Sequence, residues 1–263
     1  MSHWIVSYIP AWLLLLGLIV LIAGGAALIQ LYVRRRFPQL AEGDHNKGTE
    51  FVYRVVAFVY AFFIGFVVSA MWGQIRDADT GVRTEGAAGV QLARDLTVFD
   101  KPDSDRIRQS LLEYERAALA EWPRAASGDP APEADDALRR LYAAYEEVQP
   151  RTDAQKTLLA RSFTNLDTVS RARTERILLA RTDVGPPWPL WAIILLNSGL
   201  LVGGAIVYGV EKHALHYSIV VITGVLVAGQ LFLVLELSYP FLGAVATSPE
   251  PLHEVIRVLS ITR

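Results

Sequence analysis

The apolar positions of this chain fall into four long blocks, two on either side of a charged middle. A helix rises about 1.5 Å per residue and the hydrocarbon core of a bilayer is about 30 Å thick, so about 20 apolar residues suffice to cross it. Residues 9–33 carry no charge and stop at Arg34, Arg35 and Arg36. A second block, 51–75, has only Arg54 near one end, where a long side chain reaches the headgroups. A third, 188–210, follows Pro186, Pro187 and the Trp188-Pro189 pair, and proline suits the first turn of a helix. The fourth covers 218–237. Short connections at 34–50 and 211–217 join them into two hairpins.

The polar middle has helical periodicity and no alternating strand pattern. Leu111, Leu112, Tyr114, Ala118 and Leu119 recur at helical spacing, with Asp103 or Ser104 placed as the cap. Ser127-Gly128-Asp129-Pro130 breaks the chain, and 135–148 form another helix with Leu138, Leu141, Tyr142 and Tyr145 on one face. Thr152 or Asp153 opens a last long helix that reaches Arg181. Between Gly73 and Val98 only Gly81 interrupts the pattern, so the second span is expected to continue into this region as a stalk. The expected architecture is an all-α membrane protein. Its first hairpin covers 1–75, its helical soluble domain 76–185, its second hairpin 186–238 and its C-terminal tail 239–263.

Composition changes this picture little. The 263 residues are 52% hydrophobic, slightly above the roughly 45–50% of average domains, and it is the segregation of charge that identifies spans. A net charge of −2 gives no basis for nucleic-acid binding. With no cysteine, disulfides and thiolate chemistry are excluded. The start, 1–12, is uncharged and the apolar run too long for a cleaved leader, so the first block reads as a retained anchor. His3, His45, His213, His216 and His253 are scattered over loops and ends, and neither a metal site nor a cofactor is expected. No phosphate loop, GxSxG elbow, HExxH or dinucleotide fingerprint is present, so an enzyme is not expected. Asp135-Asp136 and Glu146-Glu147 read as solvated helix faces.

Basic residues beside short loops mark the cytoplasmic side. Arg34, Arg35, Arg36 and Lys47 crowd the first hairpin loop, and Lys212 lies in the second. That count puts both loops on the cytoplasmic side of a bacterial plasma membrane and the helical domain and both termini outside, against Arg76, Arg83, Arg171, Arg173, Arg176 and Arg181 at the domain's borders.

Within the second span, Ala57, Ala61, Gly65, Ser69 and Gly73 recur every four residues. Small-residue ridges let helices approach closely in lipid. Gly199 and Gly203, followed by Gly204, add the same spacing to the third span. Phe58, Phe62 and Phe66 run beside the first ridge. Two readings follow: a packing seam with lipid-facing rings, or an oligomer whose phenylalanines ring a constriction that gates by dewetting. The polar residues within spans are Asn197, Ser198, Thr223, Gln230 and Glu236; Asn197 and Gln230 are expected to bond across helices, and Glu236 lies near the end of its span, where headgroups reach it.

Several blocks resemble the bestrophin-like family of bacterial membrane proteins. They run from Tyr60 through Phe62 and Gly65 to Trp72, then Val82-Arg83-Thr84-Glu85. In the middle, Arg106-Ile107-Arg108 leads through Tyr114 to Glu121-Trp122, and Pro150-Arg151-Thr152 opens the last helix. Pro240, Phe241, Leu242 and Gly243 close the series, which covers most of 51–260. The resemblance implies a distant similarity to bestrophins, pentameric anion channels whose second helix lines a pore with a hydrophobic neck. Phe58, Phe62 and Phe66 lie in the corresponding helix. No convincing acidic calcium cluster follows the fourth span, and bestrophins keep the middle domain in the cytoplasm, opposite to the charge count.

The expected function is a homo-oligomeric ion channel or pore in the lipid bilayer, passing an ion along an axis lined by the second span. The alternative is a non-conducting membrane scaffold or sensor whose helical domain binds a partner or ligand.

Overall fold

A computed structural model describes residues 6, 9–37, 46–127, 131–182, 184–208 and 213–261. The breaker at 128–130, Lys212, His3 and His45 lie outside the described residues, as do the side chains of Lys47 and His213. Eight helices stand among those described. They are α1 (Ala11–Arg36), α2 (Asn46–Asp95), α3 (Lys101–Ser127), α4 (Pro132–Glu146), α5 (Asp153–Arg181), α6 (Trp188–Val207), α7 (His213–Leu237) and α8 (Glu250–Ile261). Four helices are long and apolar enough to cross a membrane: α1, α2, α6 and α7. The chain is an all-α, multi-pass membrane protein.

Two compact units divide it. The first comprises Met1–Gly73, Val184–Tyr239 and Gly243–Val245; the second comprises Gln74–Asp183, Pro240–Leu242 and Ala246–Arg263. Helix α2 is unbroken through Gly81, although an interior glycine costs ~1 kcal/mol relative to alanine. The expected continuation of the second span is therefore present.

In the first unit, α1 widens into a π turn at Val20–Gly24. That turn brings Ala23 against α7, where a Cβ on Gly224 would stand 2.6 Å from the Ala23 Cα. Only glycine admits that approach. One turn further, Ala26 packs with Ala205, Ile206 and Val220. Thr223 bonds across to Tyr53, the hydroxyls 3.3 Å apart. Ser198 donates to Ile194 O in its own helix, at 2.8 Å. Glu236, near the end of α7, is buried and accepts the Ala244 N–H at 2.7 Å. The turn it holds needs Gly243 at φ 85°.

The second unit has one core. Leu92 of α2, Leu96 in the 3-10 turn that follows it, Ile107, Leu111 and Tyr114 of α3, Leu141 and Tyr145 of α4, and Leu166 and Val169 of α5 are buried together. Helix α5 starts where the sequence places it, with the Thr152 hydroxyl accepting the Gln155 N–H at 3.1 Å. Helix α3 begins at Lys101, earlier than expected, so Asp103 lies in its first turn rather than at its cap. The tail at 239–263, to which the sequence assigned no element, contains α8. Leu252, Val255 and Leu259, at positions i, i+3 and i+7, complete the core. A Cβ on Gly86 of α2 would meet Pro251 of α8 at 2.6 Å, so the small side of α2 sets how closely α8 docks.

Candidate functional site

Two regions carry chemistry that packing alone does not require: one face of α2 in the first unit, and a buried ionic network in the second.

Along α2, the buried positions of the first unit are Tyr60, Ile64, Val67 and Met71. Their spacing of three and four residues is one helical stripe. The expected small-residue ridge is not that stripe. Ala61, Gly65 and Ser69 are exposed in the single chain, and a Cβ on Gly65, Gly199 or Gly203 would meet nothing within 4 Å. Ala57 is half-buried. Within the chain it is Gly204, not Gly199 or Gly203, that meets α2, where a Cβ would stand 2.9 Å from the Tyr53 ring. Phe58, Phe62 and Phe66 are 71%, 73% and 70% exposed, so among the described residues no side chain of their own protomer covers them. Trp72 is also exposed. Ridge and rings thus lie together on the side of α2 that its own chain leaves open.

In the second unit the dispersed sequence blocks converge. The Arg176 guanidinium donates to Glu85 through Nε at 2.9 Å and Nη2 at 3.1 Å. Tyr114 donates its hydroxyl to the same carboxylate at 3.0 Å. Arg173 makes a two-pronged pair with Glu121 at 3.0 and 2.6 Å, and reaches Asp135 at 2.6 Å. Arg176 also lies 3.5 Å from Glu121 and stacks over the Trp122 ring, 5.1 Å from its centroid. Trp122 meets Phe241 edge-on at 5.6 Å. Bidentate pairing of this kind suits the planar guanidinium and fixes geometry. Burial lowers the Arg176 pKa, but the Glu85 charge and hydrogen bonds overcome it and hold the group above its ordinary value.

The sequence singled out Glu85, Tyr114, Glu121, Trp122 and Phe241, and the structure gathers them around Arg173 and Arg176. Those arginines read in the sequence only as charges flanking a span. The clue was their register, since Arg173 and Arg176 extend the stripe of Leu166 and Val169 on α5. Pro150 and Arg151 stand apart. Arg151 N donates to Gln155 Oε1 at 2.8 Å and its side chain pairs with Asp100 at 3.1 Å, near the start of α5. Pro240 O accepts the Thr247 N–H at 2.8 Å, closing the turn that follows α7. Glu146 and Glu147 are exposed as expected, Asp136 is half-buried and pairs with Arg139, and Asp135, also exposed, bonds Arg173.

Glu115, next to Tyr114, is fully buried, and neither of its oxygens has a hydrogen-bond partner among the described residues. The two buried arginines are already balanced by Glu85 and Glu121, so a charge on Glu115 would be uncompensated. Burial raises its pKa well above the usual carboxylate range, Glu85 raises it further and Arg176 opposes. A carboxyl that holds its proton more tightly when folded supports stability fully below its unfolded pKa, about 4.3, and loses that support as pH rises toward the folded value. Glu115→Gln is therefore expected to melt at a higher temperature than the wild type at pH 8, with the gap shrinking at pH 5. Thermal melting of the purified protein checks this; a gap that is absent at pH 8, or wider at pH 5, contradicts it.

The resemblance read in the sequence is borne out. A family model, the bestrophin-like domain, matches residues 20–252. No curated protein matches the chain. Among solved structures, a bacterial bestrophin homologue from Klebsiella pneumoniae is 17% identical over 94% of this chain and 96% of its own, with a TM-score of 0.67. A variant of that homologue is 15% identical over 94% and 99%, with a TM-score of 0.68. A structure described as a membrane protein is 16% identical over 93% and 97%, also at 0.68. At such identities these likenesses concern the fold. With most of its length matched by the family model, the chain belongs to the bestrophin-like family.

Proposed function

We propose that the protein is a bestrophin-type ion channel of the bacterial inner membrane, assembled from several copies of this chain with α2 lining the central axis. Phe58, Phe62 and Phe66 would form its hydrophobic neck, and the second unit a vestibule. The observation that carries this reading is the open face of α2. Three phenylalanines, spaced by one turn and each about 70% exposed, stand beside Ala61, Gly65 and Ser69 with no cover from their own chain. A second copy on the small ridge would bring backbones close, since van der Waals contact rather than the hydrophobic effect drives association in lipid. The rings, bulky and apolar, would then face the axis, where they gate by excluding water.

The buried network supports the same reading in a subordinate way. Paired, hydrogen-bonded charges hold the second unit in one geometry, as a vestibule requires, without offering a reactive centre.

The scaffold reading also accommodates tight packing but gives the exposed rings no task. Assembly separates the two. The purified protein is expected to have a mass well above that of a dimer in mild detergent, because two α2 helices alone cannot enclose a pore. A monomer or dimer would remove the channel reading.

A further inference from the structure

The outer side of α1 carries a groove of about 640 Å³, lined mainly by Leu21, Gly24, Gly25, Leu28, Leu31 and, from α7, Tyr217. We propose that this groove binds one anionic phospholipid, its acyl chain in the groove and its headgroup at Arg35.

The local sequence makes the groove. The π turn at Val20–Gly24 presses Ala23 onto Gly224 of α7. The next two residues, Gly24 and Gly25, are left without side chains on the outward side, where an added Cβ would meet nothing within 4 Å. Leu21 and Leu28 form the walls and are exposed in the chain. The volume falls within the 300–1,000 Å³ of typical ligand pockets, and its lining is overwhelmingly hydrocarbon. A flexible alkyl chain matches that lining along an apolar span.

Charge selects the headgroup. Arg35 follows Leu28 by seven residues and Leu31 by four, so it lies on the groove's own stripe at the end of the span. It is exposed, and Arg36 beside it is exposed too. Tyr217 adds the amphipathic ring found at membrane interfaces. Of the carboxylates at this end of the spans, Glu50 is already paired with Arg54. Within residues 11–36, 51–75, 188–207 and 213–237 the one carboxylate is Glu236, which is buried and bonded to the Ala244 N–H. A phosphodiester supplies the missing negative charge.

Native mass spectrometry of the purified full-length protein tests this, with phosphatidylglycerol and phosphatidylcholine of identical acyl chains as probes. The wild type is expected to retain phosphatidylglycerol preferentially, one molecule per protomer. Arg35→Gln should weaken phosphatidylglycerol about fivefold and leave phosphatidylcholine unchanged, while Arg35→Lys retains the preference. Gly25→Leu, which fills the groove, should reduce both lipids. Equal binding of the two lipids by the wild type would overturn the proposal, as would phosphatidylglycerol binding that neither variant alters. A Gly25→Leu variant that changes oligomeric mass but not lipid count would also overturn it, by assigning the groove to a second copy. Should Gly25→Leu fail to fold, the two Arg35 variants, at an exposed position, still decide the matter.

Discussion

Arg176→Ala is expected to destabilise the second unit by about 3–5 kcal/mol, the usual result of removing one partner of a buried ion pair. Glu85 is almost wholly inaccessible and loses two hydrogen bonds and its counter-charge, keeping only the Tyr114 hydroxyl. Trp122 simultaneously loses the guanidinium stacked on its ring. Against a total stability of roughly 5–15 kcal/mol, that loss should appear as a collapse in yield or a large fall in melting temperature. Arg176→Lys should rescue only part of it, since an ammonium cannot grip the carboxylate through two parallel bonds. The double variant Arg176→Met with Glu85→Gln should lose less than Arg176→Ala alone, because the orphaned charge has gone as well. Melting curves of the four proteins check the series. An Arg176→Ala variant as stable as the wild type would mean that the network does not hold this unit together.

For Phe62→Ala the expected effect is the reverse: little change in protomer stability and a large change in current. A buried phenylalanine costs ~3–5 kcal/mol when truncated. Phe62 is 73% exposed, so within its own chain there is little packing to lose. In an assembled channel the same truncation widens the middle of the neck by most of a ring and lowers the barrier that keeps water out. Unitary current or open probability should rise several-fold, by the dewetting argument. Phe58→Ala and Phe66→Ala, one turn to either side, should act in the same direction with smaller effect. Planar-bilayer recording of variants with unchanged oligomeric mass checks this. A wild-type current in correctly assembled Phe62→Ala would place the ring on a lipid-facing or copy-facing surface, and the neck assignment would fall.

The spans were legible because lipid demands about 20 apolar residues in a row and leaves few ways to satisfy a backbone. For the same reason α2 could be followed past Gly81: its apolar positions keep helical spacing from Ile75 through Val82 to Leu92. Helix α8 was less visible. Its apolar residues are only Leu252, Val255 and Leu259 with their neighbours, in a short stretch after prolines, and the signal was present but brief. Arg173 and Arg176 were misread for a physical reason. Arginine is ordinarily solvated, and its burial here depends on Glu85 and Glu121, which lie 91 and 52 residues away in sequence. A pattern confined to one helix cannot reveal such pairing. The small ridge of α2 was legible as a ridge, but a single sequence does not distinguish a seam within the chain from one between copies. In the fold, Tyr60, Ile64, Val67 and Met71 take the intrachain role and leave Ala61, Gly65 and Ser69 open.

Current through the purified assembly is the most direct test of the central claim. The oligomer, isolated in detergent, is fused into planar bilayers and recorded across voltage with chloride and potassium gradients. Discrete unitary steps that shift reversal potential with one ion, and that change in Phe62→Ala, are the predicted result. A well-folded oligomer that stays silent at every voltage and ion composition would contradict the channel and make the second unit's surface the place to look for function.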